Sequence, residues 1–410
     1  MEHKKDIPVK ENGMPPRSFF FLSGEATPER VHWIRDAVLP PAGRAANISS
    51  PRYSIYLTGE ALISLADSRN AEYWNSIMQE AGVDVIADGE EIRLHGLAGH
   101  LHQQYPRLFI PGEGKTGEEL SFWHTLVVYL MGGDPVIGKA GFLLCQGPYM
   151  SRTPVYMLRF LKSAVEQGIR PEIYAYLDGV HAAHLDQKPS EFENIGEGIS
   201  SLSIIAGETE GEGWFGACSR CATARGYFIK DPDTGTCRPS SCIPAIRVRA
   251  LKEILERFNA FHPILAHCCG GTLPSEKRMH DSPYPVLNIL ISCSPYMSEW
   301  TFGGLSMAVA TAMGGMETRV LFIEQGVYAL CGDHTVFPED RVFNVQEMIM
   351  ATMDIPMLRY AVYTPSLEER GLHASSNFSA ILGITPERLG NFLFGQAEGI
   401  TFPQSRMMIF

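Results

Sequence analysis

The sequence predicts an α/β fold of mostly parallel sheets flanked by helices, arranged as three tandem copies of one small domain. Two segments match each other closely, GFLLCQGPYMSRTPVYMLRFLKSAVEQGIRPEIYAYLDGVHAAH from Gly141 and NILISCSPYMSEWTFGGLSMAVATAMGGMETRVLFIEQGVYALC from Asn288. Both contain Pro-Tyr-Met-Ser, at Pro148 and Pro295. Both reach a Gly-Val-aromatic-Ala stretch 31 residues later, at Gly179 and Gly326. A fixed interval of this kind is the signature of a repeated structural unit.

Each matching segment reads as strand, helix, strand. The first strand is a short apolar run, Phe142–Cys145 or Ile289–Ser292. A helix follows: Met157, Phe160, Leu161, Ala164 and Val165 fall at helical spacing, and Gly168 suits the stop. The second strands, Ile173–Leu177 and Val320–Ile323, end at an Asp-Gly or Gln-Gly turn. Strand–helix–strand units of this length make a parallel sheet with helices on its faces. A looser copy stands in front, with strands at Phe19–Leu22 and Ser54–Leu57, a helix at Glu29–Val38 and a close at Thr58-Gly59.

The connectors divide the chain. Ile243-Pro244 is expected to open a helix carrying Ile246, Leu251, Ile254, Leu255 and Phe258. Gly270–Tyr284 is polar and turn-rich and reads as a linker, and a further boundary falls near Gly132–Val136. The expected domains are 16–138, 139–285 and 286–410.

Composition narrows the function classes. The net charge is −12, from 46 acidic and 34 basic residues, with no basic block of the kind nucleic-acid binding needs. No apolar stretch approaches the ~18–20 residues of a membrane helix, and no secretory leader is recognisable, so the chain reads as cytoplasmic. No glycine-rich phosphate loop follows a strand, which argues against nucleotide binding. Nine cysteines are too few for a disulfide scaffold, and four of them, Cys218, Cys221, Cys237 and Cys242, are bunched.

The last part of each unit is similar to a known family. The two clear units resemble the DsrE/DsrF superfamily, small proteins of the DsrEFH and TusBCD sulfur-transfer hexamers. The shared features are an apolar strand, a helix, a strand ending in D/Q-G-V-[YH]-A, and a last strand leading to a helix that closes on Arg-Gly. In DsrE-like and TusD-like members a cysteine eight residues before that glycine carries sulfur. In CSRCATARG, Cys218 stands eight residues before Gly226. In YTPSLEERG the position is Tyr363, as in the DsrF/TusC branch, which lacks the cysteine; in DGEEIRLHG it is Asp88. The resemblance implies a degenerate front domain, a DsrE/TusD-like middle domain and a DsrF/TusC-like last domain. It implies a sulfur-relay protein, a sulfurtransferase-type carrier that takes and passes sulfane sulfur as a persulfide on Cys218. Its partners would be thiol- and persulfide-bearing sulfur-carrier proteins, with no organic cofactor. Because the relatives form two-fold hexamers, it also implies a homodimer.

The residues make a separate case for Cys218. Trp214-Phe215-Gly216-Ala217 reads as a strand, and a short helix begins near Ser219. A cysteine at a helix start feels the positive end of the helix dipole, which favours the thiolate, and Arg220 and Arg225 add to that field. The site is expected to be partly exposed. Cys221 stands one helical turn on and invites three readings: a resolving thiol, a packing residue, or a zinc ligand with Cys218, Cys237 and Cys242 at C-x2-C-x15-C-x4-C spacing. In the zinc reading the protein is a non-catalytic assembly module. His181 and His184 are expected at the surface, Cys145, Cys293 and Cys331 in packing roles, and His267-Cys268-Cys269 at a domain end. Glu90 and Glu91, beside Asp88, are expected to charge a helix start.

Overall fold

The computed structural model describes residues 17–39, 52–112, 121–132, 138–208, 213–230, 232–234, 237–258, 260, 262–273, 286–394 and 405–410. Its described residues form an α/β architecture of mostly parallel sheets flanked by helices.

In the front stretch β1 (Arg17–Leu22), β2 (Arg52–Leu57) and β3 (Val83–Ala87) pair in parallel, and Phe109 extends the row by a parallel bridge to Ile86. The middle stretch repeats this with β4 (Lys139–Leu144), β5 (Arg170–Ala175) and β6 (Trp214–Cys218). A small antiparallel hairpin of β7 (Phe228–Lys230) and β8 (Cys237–Pro239) follows, then β9 (Arg247–Arg249) in parallel beside β6. The chain returns as β10 (Ile264–Ala266) on the far side of β4, then at once becomes β11 (Cys268–Leu273). The last stretch lays down β12 (Val286–Ile291), β13 (Thr318–Phe322), β14 (Leu358–Tyr363) and β15 (Leu382–Ile384), all parallel, and β16 (Ser405–Ile409) flanks β12.

The strands do not sort into three separate sheets. β4, β5, β6, β9 and β10 form one of five strands. The front and last strands share another of nine, in the order β15-β14-β13-β12-β16-β11-β1-β2-β3. The joint is β11, which runs antiparallel to both β1 and β16. This corrects the linker expected at Gly270–Tyr284: residues 270–273 are ladder, and the remainder lies outside the described residues. At His267-Cys268-Cys269, expected at a domain end, the chain crosses from the five-stranded sheet to the nine-stranded one. The helix expected from Ile243 starts only at Leu251, because Arg247–Arg249 adds a strand to β6. The boundary near Gly132–Val136 falls mostly outside the described residues.

Both faces of the large sheet are covered, so its strands read as unbroken apolar runs. Along β1, Phe19 and Phe21 enter one core while Phe20 and Leu22 enter the other. Three long helices follow the first strands: Pro28–Val38, Thr153–Glu166 and Trp300–Met313. The repeat extends to the backbone. Tyr149 and Tyr296, in the two Pro-Tyr-Met-Ser loops, have φ of 70° and 68°, and Leu177 and Glu324 have 49° and 53°. Gly59 has 55° at the matching place in front, two residues past its strand. A Cβ at Gly179 or Gly326 would run into the carbonyl oxygen of Leu144 or Ile291, so the repeated glycine is a close approach of backbone to backbone.

Candidate active site

The third strand of each stretch leads, at its last residue or the next, into the residue that caps a short helix: Asp88, Cys218 and Tyr363, with φ, ψ of −74°, 107°; −60°, 120°; and −79°, 110°. Eight residues on, Gly96, Gly226 and Gly371 each have positive φ, as a helix-closing turn requires. The alignment drawn from sequence therefore coincides with three superimposable pieces of backbone.

At the middle position the capping side chain is a thiol. The neighbouring Cys221 thiol, the backbone of Cys221 and Arg220 at the start of the helix, and the Arg220 charge all favour the Cys218 thiolate. The Cys221 thiol is the largest influence, burial opposes it, and the net effect brings Cys218 down to about 6. Cys221, holding the shared proton, is pushed up. Its sulfur also accepts the Leu177 N–H at 3.2 Å. That donor is aimed by the left-handed backbone of Leu177, a conformation costing a non-glycine residue ~1–3 kcal/mol. In the last stretch Glu324 N–H donates to Ser366 Oγ at 2.9 Å, with Ser366 standing where Cys221 does.

Cys218 is fully buried, and this corrects the partly exposed thiol expected from sequence. The first turn of the helix Trp300–Met313 packs on the residues around it. Tyr176 Oη donates to the carbonyl of Gly303 at 3.1 Å, Gly303 packs on the Leu177 side chain, and the Arg220 guanidinium lies 5.1 Å from the centre of the Phe302 ring. Arg225 bonds Asp178 at 2.7 Å and Glu299 at 2.6 Å.

The other two caps are covered in the same rotational sense. The helix Thr153–Glu166 covers the front cap, where buried Glu91 takes Arg152 at 2.8 Å, Tyr156 Oη at 3.0 Å and Arg159 at 3.4 Å. Glu90 and Glu91 do stand in the first turn of a helix, Gly89–Leu94, as expected, and Glu91 in addition anchors the neighbouring helix. The helix Pro28–Val38 covers the last cap, where Tyr363 Oη donates to Asp36 at 2.8 Å and Glu29 takes Ser366 Oγ and Arg370, both at 2.7 Å. Arg30 and Trp33 of that helix close on Glu324 at 2.8 Å. Front, middle and last stretches thus close head to tail.

The remaining sequence candidates disperse. Cys242 is half-buried and donates to Ser240 O at 3.4 Å, on a segment bridged to His184; the side chain of Cys237 lies outside the described residues. Among the described residues no group of three or more His, Cys, Asp and Glu is arranged to hold a metal ion. Cys331 donates to Val327 O at 3.2 Å, and His181 Nδ1 lies 2.8 Å from Tyr227 Oη. Cys145 and Cys293 line a cavity of about 600 Å³ beyond the carboxyl ends of β4 and β12, which the sequence reading did not foresee. No helix among the described residues is long and apolar enough to cross a membrane.

Compared with known proteins, the chain matches no protein-family profile and no curated sequence.

Proposed function

We propose that the protein is a sulfur carrier that accepts sulfane sulfur as a persulfide on Cys218 and passes it to another thiol. The observation that carries this is the Cys218 sulfur on the residue that caps a helix start, one turn from the Cys221 thiol and beside Arg220, an environment that lowers it to about 6. A thiolate is the attacking species in sulfur transfer, and a terminal persulfide anion formed there is favoured by the same environment. Cys221 stabilises the thiolate and is placed to act later as a resolving thiol. The recurring cap, the closing glycine and the D/Q-G-V turn support three tandem DsrE-like domains, of which the middle one is active. Asp88 and Tyr363 cannot hold sulfane sulfur, so the flanking units serve as scaffold. The same resemblance supports a cytoplasmic homodimer working with sulfur-carrier proteins; light scattering that finds a monomer at micromolar concentration would remove the dimer. The test of function is mass spectrometry after incubation with a persulfide donor, with the added sulfur mapped. A gain of one sulfur on Cys218 supports the reading, and loading elsewhere with Cys218 untouched overturns it.

A further inference from the structure

The thiol that the proposed function needs is sealed, yet a cavity lies against its wall. This chamber of about 600 Å³ is within the ~300–1,000 Å³ typical of small-molecule sites, and it sits where α/β folds bind ligands, beyond the carboxyl ends of parallel strands. Its lining includes Cys145, Asp178, Ser298 and Trp300. Each is tied to the Cys218 site. Asp178 pairs with Arg225, on the turn that closes the helix Cys218 starts. Ser298 and Trp300 lead into the turn carrying Phe302 and Gly303, which packs on the residues around the thiol. Tyr176 stands between the two: it follows Ala175, whose partners on the neighbouring strands are Leu144 and Ala217, the residues just before Cys145 and Cys218.

The chamber is soft and mostly uncharged. Cys145, Cys268 and Cys293 line it with Met150, Trp300 and Phe410. Burial raises all three thiols, so they remain protonated and do not compete with Cys218 as nucleophiles. The charge of Arg30 is spent on Glu324, and His267 is held down to about 3 by burial and by Arg30, which leaves it neutral. At the mouth Met150 is 89% exposed.

We propose that this chamber admits a low-molecular-weight persulfide, RSSH, as the sulfur donor to Cys218; the inference rests on the carrier reading above. With Cys218 fully buried, a folded donor or acceptor needs a wide opening, whereas a small donor already in the chamber needs only the turn beside Tyr176 to move. When that turn swings out, the Cys218 thiolate attacks the outer sulfur of RSSH. The S–S bond of the donor breaks, RS⁻ leaves into the chamber, and Cys218 keeps the transferred sulfur with its proton as Cys–S–SH. No oxidant or reductant is consumed.

The experiment measures the rate of Cys218 loading from cysteine persulfide and, in parallel, from a persulfide carried on a donor protein. Both are measured on the full chain and on two variants that narrow the chamber, Cys293→Phe and Ser298→Trp. The expected result is that either variant slows loading from cysteine persulfide by about tenfold or more, because the donor loses its held position. The alkylation pH profile of Cys218 should stay as in the parent, which shows that the thiol itself is intact. Equal rates in the parent and both variants overturn the chamber. Loading of the parent by the protein-borne donor alone also overturns it and leaves the carrier reading standing. Loading by neither donor removes both.

Discussion

At Asp88 and Tyr363 the covering helix is fastened by carboxylates; at Cys218 the same backbone meets a helix that no buried carboxylate fastens. Glu91 is buried among Arg152, Tyr156 and Arg159, and Glu29 and Glu324 meet Arg370 and Arg30. The middle seam has a glycine against a leucine, a buried hydrogen bond from Tyr176 to the Gly303 carbonyl, an arginine over a ring, and one ion pair whose Glu299 side chain is 59% exposed. Removing one partner of a buried ion pair costs ~3–5 kcal/mol, while an exposed pair is worth ~0–1 kcal/mol. The difference teaches that two seams are fastened by buried carboxylates, and that the third, beside the only lowered thiol among the described residues, is held without one.

The largest effect expected is on chemistry. Cys218→Ser should abolish persulfide loading, because a hydroxyl stays protonated near neutral pH and carries no sulfur. Circular dichroism should show the fold retained, since the replacement is close in size even in a buried site. Residual loading at the parental level would dissolve the contrast between this cap and its two relatives.

Next comes stability. Glu91→Ala should cost ~3–5 kcal/mol in denaturant titration, and Glu299→Ala no more than ~1 kcal/mol. Equal losses would mean that the middle seam is fastened like the others. Gly303→Ala probes the seam directly. Its methyl would come 2.7 and 2.9 Å from the Leu177 methyl carbons, so the turn must shift, at ~1–3 kcal/mol of overpacking. Iodoacetamide should then reach Cys218 several-fold faster, and an unchanged rate would show that this turn does not gate the thiol.

The smallest effect is on pH dependence. Alkylation of Cys218 should titrate near 6, below the ~8.5 of a free thiol, and Cys221→Ala should raise that midpoint by removing the main donor. The linked stability follows in sign. Between about 6 and ~8.5 the unfolded chain holds more protons than the native one, so stability rises with pH and is lost as pH falls toward 6. Above that window Cys221 keeps a proton that the unfolded chain releases, and stability falls again. Unfolding midpoints across pH should trace this rise and fall, and Cys221→Ala should make the falling limb shallower without removing it, since the buried Cys145, Cys268 and Cys293 thiols share it.

Zinc offers a separate check. Purified protein should carry well under one zinc per chain, and stoichiometric zinc lost on Cys237→Ser would instead make Cys218 a metal ligand.

Much of the middle site was legible in the sequence, because local rules govern it. A strand, a capping residue and a glycine eight residues later can be counted along the chain, and the count placed Asp88, Cys218 and Tyr363 on equivalent backbone. What escaped depends on residues distant in sequence. Nothing near Cys218 announces Gly303 as a neighbour, and Cys145 and Cys293 read as core until two strand ends are seen to face one cavity. Leu177 escaped for another reason: a leucine gives no hint of left-handed backbone. The only available signal was Gly59 at the matching place in the front copy. Gly270–Leu273 misled because glycine and threonine in a ladder look like a linker until their partners, Arg17–Phe20, are known.

That ladder has a consequence for how the chain is made. β11 pairs on one side with residues 17–22 and on the other with residues 406–408. These are pairings between segments far apart in sequence, the slow kind in folding, since the loop entropy is lost before the contact forms. During synthesis β11 emerges long before β16, so one edge of the growing sheet stays unpaired while the last stretch is translated. Its sequence, CCGGTL, is short and rich in glycine, with little to recruit a stray strand, so the waiting edge guards itself against aggregation until its partner arrives.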